Sequence, residues 1–112
     1  MKHTVSLKGN RAFRRMYSKG KSMATASLVL YIRRNGTPGN RLGLTVGTRV
    51  GKAVRRNRVR RRLREIYRLH EGELRRGWDI VAVARTRAAE ASYRELEGDF
   101  LRAAARLGLK TP

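Results

Sequence analysis

The sequence predicts one domain of mixed α/β (α+β) class. Three observations predict it: apolar residues repeat at helical spacing in three stretches and at strand spacing in others, the two kinds alternate, and 112 residues supply a single modest core. The expected order is α-β-β-β-α-β-α around a four-stranded sheet. Residues 1–112 form the domain, with 1–6 and 109–112 flexible.

Each element has its own signal. Asn10–Ser18 sets Phe13 and Tyr17 four residues apart beside Met16, and Gly20 follows as a stop, which predicts a first helix. A short strand is expected over Lys21–Thr25. Ser27–Arg33 reads SLVLYIR, with Leu28, Leu30 and Ile32 alternating against Val29, Tyr31 and Arg33, the period of a strand with two different faces. The turn-rich Asn35–Asn40 leads into a strand over Arg41–Thr48, whose Leu42, Leu44 and Val46 face one way. Its other face, Gly43, Thr45 and Gly47, is small and is expected to leave room for a ligand.

On a helix starting near Ala53, Val59, Leu63, Ile66, Tyr67 and His70 fall within roughly a 100° arc, and Asn57, Arg60, Arg61, Arg64 and Arg68 fall on a separate one. After the polar Glu71–Gly77 link, the apolar run Trp78–Ala84 predicts a buried strand. Ser92 with Glu95 is a capping-box signal, and Tyr93, Leu96, Phe100, Leu101, Ala104 and Leu107 continue at helical spacing to Gly108.

Charge carries the functional signal. Twenty-eight Lys and Arg against eight Asp and Glu leave a net charge of +20, which calls for a polyanionic partner. All eight acids lie at or beyond Glu65. Residues 1–64 therefore hold 19 basic residues and no acid, while the remainder holds nine against eight. Arginine, with its planar fork of donors, suits phosphate and bases better than a membrane surface. No cysteine is present, no apolar stretch approaches a membrane span, and the N-terminus lacks a signal-peptide core, so a soluble cytoplasmic protein with no membrane partner is expected.

Between Arg49 and Arg68, ten basic residues meet one acid. A disordered basic tail would not carry apolar residues at helical spacing, and a partnerless solvated face would carry more i,i+4 counter-charges. Neither histidine makes an active site: His3 lies near the N-terminus, and His70 ends the apolar arc, where a structural or helix-dipole role fits. The acids pair with no histidine or second carboxylate, so no self-contained nuclease can be assembled. Phe13, Tyr17 and Tyr31 read either as core or, given Tyr31 beside Arg33 on the strand's second face, as a platform for stacking bases.

The stretch Gly51-Lys52-Ala53-Val54-Arg55-Arg56-Asn57-Arg58-Val59-Arg60-Arg61-Arg62-Leu63-Arg64-Glu65 closely resembles the signature G-K-A-V-x-R-N-x-x-[KR]-R-x-x-R-E of the bacterial ribonuclease P protein subunit. The similarity continues through Phe13 and Tyr17 before Gly20-Lys21-Ser22, the Leu28–Ile32 strand, Arg41-Leu42-Gly43, and Gly77-Trp78-Asp79-Ile80-Val81 to Arg85. Two positions depart from it. Thr48 replaces a usual lysine ahead of Arg49, and Ala12 replaces the acid that commonly precedes Phe13.

The resemblance implies a two-layer sandwich with a left-handed βαβ crossover, against the usual right-handed rule. It implies a catalytic RNA that removes the 5′ leader of precursor tRNA with Mg2+ held mainly by RNA and substrate, one protein per RNA, and no catalytic or metal-binding residue on this chain. Arg49, Lys52, Arg56, Asn57, Arg58, Arg60, Arg61, Arg64 and Arg68 would face the catalytic RNA, and Phe13, Tyr17, Tyr31 and Arg33 would line a cleft for the leader. The alternative is a structural, ribosomal-type RNA-binding protein, which shares charge and size but needs no aromatic cleft.

Overall fold

The alternation along Leu28–Arg33 divides the molecule into two unequal halves. Leu28, Leu30 and Ile32 are fully buried, and Val29, Tyr31 and Arg33 are half-buried on the opposite face. The computed structural model describes residues 1–112. Its elements run β1 (Thr4–Ser6), α1 (Asn10–Lys19), β2 (Lys21–Ala24), β3 (Leu28–Arg34), β4 (Asn40–Thr45), α2 (Ala53–His70), β5 (Trp78–Ala84) and α3 (Tyr93–Arg106). Short 3-10 turns at Thr48–Val50, Glu71–Glu73 and Thr86–Ala89 complete the chain.

The strands form one sheet in the order β1-β4-β5-β3-β2. β4 and β5 are parallel neighbours joined by α2, a βαβ unit; β1 is parallel to β4, and β3 is antiparallel to both β5 and β2. Five strands replace the expected four, because Thr4–Ser6 adds an edge strand. Three residues are too few to show an alternation.

One face of the sheet carries the main core. Val59, Leu63, Ile66 and Tyr67 of α2 and Leu96, Phe100, Ala103 and Ala104 of α3 pack there on Leu28, Leu30, Ile32, Leu42, Ile80 and Ala82. Each fully buried aliphatic side chain contributes about 1.5–3 kcal/mol through water removal. The other face carries only α1, over a small cluster of Leu7, Met16 and Val81 flanked by Phe13, Tyr31 and Val83. The expected two layers are thus joined by a third, incomplete one. Ten helical residues cannot cover five strands, so this face stays partly open.

Local signals explain the boundaries. Gly20 ends α1, donating its N–H to Met16 O at 2.9 Å, and a Cβ there would lie 2.6 Å from that same oxygen. Ser92 and Glu95 form the expected reciprocal cap at 3.1 and 3.0 Å. β4 stops at Thr45, three residues early, where the chain turns toward Thr48–Val50.

Both chain ends make contacts with the body of the fold. Buried Glu71 accepts from the Lys2 and His3 backbone N–H groups at 2.8 and 3.3 Å and from the Thr4 hydroxyl at 2.5 Å. Leu109 is fully buried, and Lys110 bridges to Leu74. No helix is long and apolar enough to cross a membrane.

Candidate nucleic-acid interface

The helical repeat that buries one side of α2 leaves its arginines outside. Val59, Leu63, Ile66 and Tyr67 are at most 2% exposed, whereas Lys52, Arg55, Asn57, Arg58, Arg61, Arg64 and Arg68 are exposed and Arg56, Arg60 and Arg62 half-buried. Of the ten basic residues from Arg49 to Arg68, Arg68 has the sole acidic partner, Glu65 at 2.5 Å. The Arg68 hydrogen bond holds the Glu65 carboxyl below its usual range. Arg60 donates to Asn57 Oδ1 at 3.1 Å, and Arg62 to the Ala91 carbonyl at 3.3 Å. The Arg56 Nε is buried with no partner. A surface that holds this much like charge without internal neutralisation favours bound polyanions.

Members of the predicted basic set lie in separate places. Arg64 reaches around the β1 edge to line a cleft of about 320 Å³ with Met1, Val5, Phe13 and Leu44. Lys52 and Arg58 instead border a groove at the start of α2, together with Val54 and Arg55. Val54 is 76% exposed there, an apolar side chain amid cations. Arg49, also exposed, precedes this groove in the Thr48–Val50 turn.

The aromatics gather on the open face. Phe13 and Tyr17 lie one helical turn apart with ring centroids at 6.4 Å, and Tyr17 meets Tyr31 edge-on at 5.2 Å. Tyr17 OH shares a hydrogen bond with Thr45 Oγ1 at 2.8 Å. The three differ in exposure: Tyr17 is 41% exposed, whereas Phe13 and Tyr31 are half-buried against the small cluster. Phe13 and Tyr31 thus belong partly to the core, and Tyr17 is the exposed ring. Arg33 shares the face and stands opposite Asp79, whose carboxylate is already taken by Arg41 at 2.7 and 2.9 Å.

The room expected on the face of Gly43, Thr45 and Gly47 is partly taken. The space beside Gly43 is filled by Phe13: a Cβ at Gly43 would lie 2.6 Å from Phe13 Cζ. The glycine seats the ring, and it still lines the cleft of about 320 Å³ beside Phe13. Open space remains farther along, in a cavity of about 630 Å³ beside Tyr17 and Thr45.

The remaining titratable groups serve structure. His70 sits between Glu97 (Nε2, 2.8 Å) and Glu73 (Nδ1, 2.5 Å), and the hydrogen bond to Glu97, against a smaller burial effect, raises its pKa. Burial would raise the Glu71 carboxyl, but bonds from Thr4, Lys2 and His3 outweigh it and hold it low. Glu71 was legible only as a linker residue, since its partners lie nearly 70 residues away. Asp99 accepts from Ser27 and pairs with Arg102. No group of three or more His, Asp or Glu side chains is arranged to hold a metal ion.

Known proteins share this architecture and much of this sequence. The family model described as Ribonuclease P matches residues 1–108. The ribonuclease P protein component of Alkaliphilus oremlandii is 46% identical over 101 residues, spanning 90% of this chain and 89% of that protein. That of Natranaerobius thermophilus is 43% identical over 102 residues, 91% and 89% of the two chains. Among solved structures, the Staphylococcus aureus RNase P protein superposes with a TM-score of 0.87 at 28% identity, covering 95% of this chain and 97% of its own. The Thermotoga maritima RNase P protein gives 0.79 at 33% identity, covering 87% and 92%. Sequence and fold agree along almost the full length: the chain belongs to the ribonuclease P protein family, the protein component of an RNA-based endoribonuclease of tRNA processing.

Proposed function

We propose that this chain grips the catalytic RNA of ribonuclease P through α2 and steadies the 5′ leader of precursor tRNA on the open face beside α1. One protein serves one RNA, in the cytoplasm. The observation that carries this reading is the run from Arg49 to Arg68, in which nine of ten cations lack an acidic partner. An aromatic platform with one exposed ring adjoins it. Arg64 borders the same cleft as Phe13, so the basic helix and the platform meet at the β1 edge.

The division of labour follows from the side chains present. Arginines neutralise phosphates where two RNAs approach, and tyrosine gives a stacking surface indifferent to most sequence. Seven of the eight acids, all but Glu90, are engaged elsewhere, in caps, ion pairs and the Glu71 anchor. In this reading Mg2+ is held mainly by RNA and substrate phosphates, and the chain contributes no reacting group.

The test is assembly with the catalytic RNA as a function of salt. Each phosphate contact should contribute about −0.7 to the log–log slope on single strands and about −0.9 on duplex. Replacing Arg60 and Arg64 together with glutamine should flatten that slope and weaken assembly more than leader contact. Loss confined to leader contact would place the leader, not the catalytic RNA, on α2, and a slope near zero would reject the reading. Equal affinity for precursor and mature tRNA would favour a purely structural RNA-binding protein.

A further inference from the structure

Nothing in the packing of α3 asks for a glycine at position 98. Gly98 sits in mid-helix, where alanine is favoured and glycine costs backbone entropy. A Cβ there would meet only Arg102 Nη1, at 3.6 Å, which is ordinary contact. What the missing side chain does leave is room, because Gly98 lines a cavity of about 360 Å³ between α3 and the turn from β2 to β3. That volume lies within the roughly 300–1,000 Å³ of small-molecule sites. None of the lining residues belongs to the basic run of α2 or to the open face beside α1.

The walls are charged and held in place. Arg94 and Arg102 stand one helical turn before and one turn after Gly98, so two guanidinium groups flank the gap. Asp99, only 5% exposed, accepts from the Ser27 N–H at 3.1 Å and from Ser27 Oγ at 2.5 Å, and its other oxygen pairs with Arg102. A buried carboxylate thus ties α3 to the β2–β3 turn and fixes one arginine at the cavity. Arg87 and Arg94 are exposed, and their side chains make no hydrogen bond or ion pair within the chain. Glu95 completes the lining: its Oε1 takes the Ser92 N–H at 3.0 Å, and its Oε2 makes no hydrogen bond. The Ser92 bonds, with a smaller pull from Arg87, hold the Glu95 carboxyl below its usual range.

Three arginines and one free carboxylate oxygen suit a ligand with a phosphate at one end and neutral hydroxyls at the other. A second anionic group would be repelled by Glu95. We propose that the cavity binds a ribonucleoside phosphate. Its phosphate lies over Gly98 between Arg94 and Arg102, with Arg87 closing from the side, because arginine forks match phosphate oxygens in pairs. Its ribose hydroxyls donate to Glu95 Oε2, the pairing by which carboxylates take a ribose 2′-hydroxyl in other nucleotide sites. The site goes beyond the function proposed above and does not rest on it.

The experiment titrates the full chain with adenosine 5′-monophosphate and follows the backbone amides by NMR. Ser27 and residues 92–102 should shift together and saturate. Gly98→Leu should fill the gap and abolish those shifts, whereas Gly98→Ala should raise the denaturation midpoint, showing that the helix itself gains nothing from glycine. Arg94→Gln should weaken binding about tenfold, the loss of one charge-assisted contact. Deoxyadenosine 5′-monophosphate should bind about tenfold more weakly than the ribonucleotide, and Glu95→Gln, which keeps the helix cap, should narrow that difference. Shifts confined to α2 and the open face, or shifts at 92–102 that survive both Gly98→Leu and Arg94→Gln, would overturn the site. Inorganic phosphate binding as tightly as the nucleotide would overturn the ribonucleoside assignment. A 5′-phosphorylated trinucleotide that moves the same amides at lower concentration would assign the ribose phosphate to an RNA end, and one that needs a higher concentration to a free nucleotide.

Discussion

The Thr4 hydroxyl donates to Glu71 Oε2 at 2.5 Å, joining the first strand to the end of α2 across 67 residues. The same Thr4 oxygen shares a bond with Tyr67 OH at 2.7 Å, and Tyr67 OH in turn accepts from Asn40 Nδ2 at 3.2 Å. A three-residue edge strand has little stability of its own. β1, and with it the Met1 and Val5 wall of the cleft, therefore depends on one buried carboxylate.

Glu71→Ala should cost about 1–3 kcal/mol in chemical denaturation, because the Lys2 and His3 N–H groups and the Thr4 hydroxyl lose a buried acceptor. Hydrogen exchange at residues 3–7 should rise in the same variant. The folded-state pKa of Glu71 lies below its ordinary 4.5, so its contribution is present above that value and is lost as pH falls through the lowered one. Unchanged protection of β1 in Glu71→Ala would show that the backbone ladder alone suffices.

His70 has the opposite sign. Its folded pKa is raised above 6.5 by Glu97 and Glu73, so its stabilisation is complete below 6.5 and disappears as pH rises through the raised value. The denaturation midpoint should fall as pH rises from about 6.5 through the raised value, and His70→Gln should flatten that fall. An identical profile in the variant would assign the dependence to another group.

Gly43→Ala should unseat Phe13. With the new Cβ 2.6 Å from Phe13 Cζ and 3.3 Å from Val81 Cγ2, overpacking should cost about 1–3 kcal/mol. Adding Phe13→Val should recover part of that loss, and simple additivity of the two changes would contradict the contact.

Tyr17→Ala should lower precursor tRNA affinity by about 1–3 kcal/mol with little change in stability, the ring being 41% exposed. Tyr31→Ala should lower both, since that ring also packs on the Leu7, Met16 and Val81 cluster. Equal affinity losses for mature tRNA would point to damaged folding or assembly instead.

What the sequence revealed and what it hid divide by range. α2 was legible because Val59, Leu63, Ile66 and Tyr67 repeat within one helix, and the cap of α3 because Ser92 and Glu95 are three residues apart. The faces of β3 were legible from simple alternation, and all three burials on its core side are complete. β1 was not, because Thr4–Ser6 shows no period and its anchor lies at Glu71. The packing on Gly43 was hidden for the same reason: the ring that takes part of the room there comes from Phe13, thirty residues earlier. Thr45, which fixes Tyr17, looked like a small strand residue until the two elements were brought together.

The central claim is that the chain lends cations and a stacking surface to an RNA that does the chemistry. Cleavage of a leader-bearing tRNA at low magnesium, measured with RNA alone, protein alone and both together, tests it most directly. The expected result is strong cleavage only in the combined reaction, with the protein alone inert. Leader removal by the protein without RNA, or no gain from adding it to the RNA, would contradict the claim.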